Sequence, residues 1–142
     1  MAHIIERRYS QTVHPIHAVF LAGTIPFFLG AALSDAAYAS SYHFQWVNFA
    51  SWFIVGGLVF AAVALVFAIV DLVRAHRRAA GIAWYIVILL SIWILAFINA
   101  FVHARDAAAS MPTGLVLSVI VLVLACVATW FGFCTPRIGG TK

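Results

Sequence analysis

Long apolar runs, each closed by a few polar residues, set the pattern of this chain. The first reads HPIHAVFLAGTIPFFLGAALSD, from His14 to Asp35, with a histidine pair at one end and a carboxylate at the other. In a helix rising about 1.5 Å per residue, His17 and Asp35 stand about 27 Å apart, close to the ~30 Å hydrocarbon thickness of a bilayer. The run therefore predicts a membrane-spanning helix that ends near Asp35 to Tyr38. Pro15 suits its first turn, where a missing N–H costs nothing. Pro26 falls mid-span and predicts a kink, tolerated in a bundle where neighbours satisfy the freed carbonyl. The run starts too late and is too long for a cleavable signal peptide.

Three further runs repeat the plan. The second span is expected from about Val47 to Val70, after a short loop over Ala39 to Gln45 that holds His43. Tyr38, Tyr42 and Trp46 flank that loop as an aromatic belt suited to a membrane interface. Gly57, Ala61, Ala64 and Ala68 put small side chains on one face of the second span, where another helix can approach closely. Asp71 ends it, and a basic loop with Arg74, His76, Arg77 and Arg78 follows. The third span is expected over about Ile82 to Val102, with Asn99 and His103 one turn apart at its far end. Pro112 signals the start of a fourth, over about Gly114 to Phe133.

Composition agrees: 65% of the 142 residues are hydrophobic and 8% charged, against roughly 25% charged in soluble domains. The fold class that follows is an all-α membrane protein, a four-helix transmembrane bundle. Its parts are an N-terminal segment over 1–13, the spans over 14–135 and a tail over 136–142. Arg7, Arg8, Arg74, Arg77, Arg78, Arg137 and Lys142 fall on one face and only Arg105 on the other. The positive-inside bias then puts both termini in the cytoplasm of a multi-pass protein of the bacterial inner membrane. Basic residues that flank spans are a topology signal, and nucleic acid is not an expected partner. Cys126 and Cys134 lie ~12 Å apart along a helix, too far to join each other, and read as small apolar residues.

The few polar residues carry what chemistry there is. At the cytoplasmic end, His14 and His17 share a helix face. One of them is a candidate axial ligand for a b-type haem, which needs two opposed imidazoles from different helices; His76 is the candidate partner. The competing reading is a cap-and-interface pair touching Asp71, with Asp71 and Arg74 forming a helix-end pair. At the outer end Asp35, Asn99 and His103 would meet if the first and third spans are neighbours, and Asp35 and His103 are expected within hydrogen-bond reach. That cluster could bind a metal, with Asp35, His103 and His43 or Asp106 as ligands, relay a proton or seat a partner; the alternative is a hydrogen-bonded network that closes the bundle. No serine or cysteine stands at a recognisable spacing from a histidine and an acid. There is no phosphate-binding glycine loop, and no catalytic residue is assigned.

The motifs, taken together, resemble the bacterial membrane family called domain of unknown function 2231. They are HPIH at His14 to His17, the stretch from Pro26 to Asp35, the small-residue ladder from Gly57 to Asp71, the run N-x-x-x-H-x-R-D-A from Asn99 to Ala107, and PTGLVLS from Pro112 to Ser118. Members of that family often carry a histidine near the start of the third span; this chain has Trp84 and Tyr85 there. The family has no settled activity, but similar proteins occur fused to Rieske-type domains or beside quinoprotein sugar dehydrogenases. The resemblance implies a small accessory or anchor subunit of a membrane redox assembly, in contact with lipid and with other membrane or periplasmic redox proteins, with no chemistry of its own and no cofactor. Two alternatives remain: a b-type cytochrome, with haem b, passing electrons to quinone; and a metal-binding or transport-related membrane protein.

Overall fold

The computed structural model describes residues 13–74, 80–105 and 109–134. Four helices follow in order: α1 (Pro15–Ser41), α2 (Phe44–Arg74), α3 (Ala80–Ala104) and α4 (Thr113–Cys134). All four are long and apolar enough to cross a membrane. The sequence reading ended the first span near Asp35 to Tyr38 and placed a loop over Ala39 to Gln45. The helices instead run on until only Tyr42 and His43 lie between them. At the turn Tyr42 takes a left-handed conformation, φ 55°, and its N–H donates to the Tyr38 carbonyl at 2.8 Å. Likewise α2 continues through Asp71 to Arg74. Hydropathy marks where the surroundings change, whereas a helix stops where its backbone bonds stop. α1 also runs unbroken through Pro26.

Each helix is pinned by one stripe of buried positions. In α1 these are His17, Leu21, Thr24, Phe28, Ala31, Asp35 and Tyr38; in α2, Val47, Ala50, Ile54, Gly57, Ala61, Ala64 and Ala68. The stripe in α3 is Ile82, Tyr85, Leu89, Ile92, Ala96, Asn99 and His103, and in α4 Gly114, Ser118, Val121, Ala125 and Ala128. The intervals alternate between three and four residues throughout, the repeat of a left-handed coiled-coil seam. The expected small-residue face of α2 is its part of that seam. Outside it the helices present bulky apolar residues such as Trp52, Trp84 and Trp130. That surface suits lipid, because only the seam needs a protein partner.

The four helices form a square. α1 packs on α2 and α4, and α3 packs on the same two, so α1 and α3 face each other across the diagonal. The closest pairing, α1 with α2, is a reciprocal lock of rings into glycines. A Cβ on Gly23 would come 2.5 Å from Phe60 and one on Gly30 2.9 Å from Phe53. From the other helix, Gly56 and Gly57 make room for Phe27 and Phe28.

Candidate functional site

The polar residues of the seam gather in two layers, one near each end of the bundle. Asp35 follows His17 by 18 residues, and His103 follows Tyr85 by the same interval. At about 3.6 residues per turn that is five turns, so each pair returns to one face of its helix. α1 and α3 therefore meet twice across the diagonal, His17 with Tyr85 and Asp35 with His103.

In the Asp35 layer, His103 Nε2 donates to Asp35 Oδ1 at 2.7 Å. Ser118 Oγ, from α4, donates to Asp35 Oδ2 at 2.6 Å, and Asn99 Nδ2 donates to Ser118 Oγ at 2.8 Å. His103 Nδ1 lies 2.9 Å from the Asn99 carbonyl. A backbone carbonyl only accepts, so Nδ1 carries a proton. The bond from Nε2 to the carboxylate holds one more, and ring and carboxylate together are electrically neutral. Asp35 is 0% exposed, Asn99 and Ser118 1%, and His103 6%. Burial of such groups is tolerated because both carboxylate oxygens and both ring nitrogens are engaged. Gly114 gives the ring its space: a Cβ there would sit 2.8 Å from His103 Cε1. The serine bonds the carboxylate rather than the ring, so the imidazole is not placed to take the serine proton, and acyl transfer is not supported.

In the other layer, His17 Nε2 and the Tyr85 hydroxyl are 2.9 Å apart, and His17 Nδ1 is 4.0 Å from Asp71 Oδ2. Phe67 stacks near-parallel with both His17 and His14, each at 5.7 Å between ring centroids. Gly132 does for this layer what Gly114 does for the first: a Cβ there would meet Leu21 at 2.5 Å and the Tyr85 hydroxyl at 3.4 Å.

The candidate residues named from the sequence divide accordingly. Asp35, Asn99 and His103 come together, although α1 and α3 are not the adjacent helices that the sequence reading required. The diagonal is bridged because an aspartate and a histidine hydrogen-bond across it, and because Gly114 clears the way. Asp71 faces His17, while Arg74 is exposed in the last turn of α2. The metal set of Asp35, His103 and His43 is not formed. His43 is exposed in the α1–α2 turn, and among the described residues no three His, Cys, Asp or Glu side chains could hold a metal ion. Asp106 and His76 lie outside the described residues.

Of the haem candidates, His14 and His17 fall within the described residues and His76 does not. His17 Nε2 is engaged by Tyr85 and its ring is stacked on Phe67, while His14 is exposed at the bundle surface. The sequence reading missed Tyr85, Ser118, Gly114 and Gly132 as parts of these layers. For all but Ser118 the signal is the five-turn interval, which links Tyr85 to His103 and Gly114 to Gly132 as it links His17 to Asp35.

A family model described as "Predicted membrane protein (DUF2231)" matches residues 13–135 of the chain. No curated protein and no solved structure matches it.

Proposed function

The chain belongs to DUF2231, a family of predicted membrane proteins, and we propose that it serves as a small accessory or anchor subunit of a membrane redox assembly. On this reading it lies in the bacterial inner membrane with both termini in the cytoplasm. The observation that carries the anchor role is the closure of both polar layers. The ring nitrogens of His103 and Nε2 of His17 are bonded inside the bundle. Such a bundle offers lipid and protein partners an apolar perimeter, and among the described residues the buried polar side chains of its layers bond one another rather than facing a substrate. The redox part rests on the resemblance to proteins that occur with Rieske-type domains and quinoprotein dehydrogenases.

The test is isolation of the tagged chain from its native membrane in mild detergent. A partner that co-purifies in fixed ratio and carries its own haem, iron–sulfur or quinone spectrum is the expected result. Recovery of the chain alone under conditions that keep other membrane redox complexes intact would overturn the assembly role. A stoichiometric haem spectrum from the chain itself, lost in His17→Ala, would replace it with the cytochrome alternative.

A further inference from the structure

The His17 layer sets a phenol against an imidazole inside an apolar bundle. Tyr85 is 6% and His17 0% exposed, and 2.9 Å separates the hydroxyl from Nε2. On the far side of the ring, Nδ1 looks towards Asp71 Oδ2 at 4.0 Å. A carboxylate on that side favours the tautomer with its proton on Nδ1, which leaves the lone pair of Nε2 to accept from the phenol. Phe67 holds the imidazole plane by near-parallel stacking. Trp84, beside Tyr85 in the chain, is 71% exposed, so the layer lies one residue from the outer surface of α3.

We propose that Tyr85 is a one-electron relay, with His17 as the base that takes its proton when the electron leaves. The oxidant is an oxidised, high-potential metal centre of a redox protein docked at this end of the bundle, since the potentials that iron–sulfur centres reach are too low to oxidise a phenol; that a redox protein docks here, though not the relay itself, rests on the function proposed above. In the forward step one electron passes from the phenol to that metal, the Tyr85 O–H bond breaks, and an N–H bond forms at His17 Nε2. The products are a neutral phenoxyl radical, an imidazolium facing Asp71, and the metal reduced by one electron. A one-electron donor, the reduced metal centre of a second redox protein, returns the electron, and the proton moves back across the same hydrogen bond. Nothing has to diffuse in or out, so a bundle closed to substrates can still pass an electron. In the Asp35 layer, Asp35 and His103 are bonded to Ser118, to Asn99 and to each other rather than to a phenol.

The experiment needs no partner. The intact chain, with Tyr9, Tyr38 and Tyr42 replaced by Phe, is placed in detergent micelles with a flash-generated ruthenium(III) polypyridyl oxidant. Phenoxyl formation is followed by its optical band and its electron paramagnetic resonance signal. The radical is expected in this parent and absent in Tyr85→Phe. His17→Gln, which keeps a hydrogen-bonding side chain but no base, is expected to slow its formation about 100-fold, as loss of general-base assistance does. The parent, with His17 untouched, is also expected to react more slowly in deuterated water. An unchanged rate in His17→Gln, no phenoxyl band or signal in the parent, or a parent rate insensitive to deuterium would each overturn the relay. A positive flash result with no redox partner on isolation would remove the assembly and leave the relay standing.

Discussion

Replacing Asp35 by alanine removes the acceptor for two donors at once, His103 Nε2 and Ser118 Oγ. Asp35 is wholly buried, so water does not take its place. Stranding one member of a buried charged pair costs about 3–5 kcal/mol in soluble proteins. In a membrane the separated helices find other polar partners, and single interhelical hydrogen bonds average only about 0.6 kcal/mol. The expected loss for Asp35→Ala is therefore at the lower end, about 3 kcal/mol, measured by reversible unfolding in mixed micelles. His103→Ala should cost a similar amount by leaving the carboxylate with Ser118 alone. Joint replacement by Asp35→Leu and His103→Leu should recover much of the loss, since a matched apolar pair strands nothing. A double-mutant cycle on the alanine variants then gives a coupling of about 1–3 kcal/mol. Additive effects, or a loss below about 0.5 kcal/mol in either single variant, would refute the idea that this pair bolts α1 to α3.

Ser118→Ala removes one neutral donor and should cost about 0.6–1.7 kcal/mol by the same unfolding measurement, less than Asp35→Ala. Gly114→Ala brings a Cβ to 2.8 Å from His103 Cε1; it should cost about 1–3 kcal/mol by overpacking and shift the His103 ring resonances in NMR spectra. In a chain with Cys126 and Cys134 changed to serine, a cysteine at Arg105 should react with a membrane-impermeant reagent in intact cells and one at Arg74 should not. The opposite pattern would invert the topology, and reaction at both would break the span count.

The spans were legible because a run of apolar residues about as long as the hydrocarbon is thick has few other readings. The contact of Asp35 with His103 was legible for a related reason: a charge near a membrane needs a partner, and both sit at the same end of their spans. Tyr85 was not legible as a partner of His17. A tyrosine near a span end is read as an interfacial ring, and only the alternating three- and four-residue intervals reveal that it points inwards while Trp84 points out. Ser118 was hidden because serine is ordinary in membrane helices and its use depends on what stands opposite. His43 was not legible as an exposed turn residue, because sequence nearness to the belt says nothing about direction.

The two polar layers stand five turns apart, and the side chains of Thr24, Ser51, Ser91 and Thr129 described between them bond within their own helices. The lipid-facing surfaces are nearly uniform along their length, so they resist sliding of one helix past another only weakly. The rings seated in glycines fix α1 to α2, but towards α3 the alanine-rich seam of α2 is as permissive. The layers supply the missing graduation. A slide of α3 by one heptad along α1 would set Ala96 and Ile92 opposite positions now matched to His103 and Asn99, and Asp35 would lose its imidazole. Only one vertical setting satisfies both ends at once, so the bundle carries its own measure of length, about that of the bilayer it is built for.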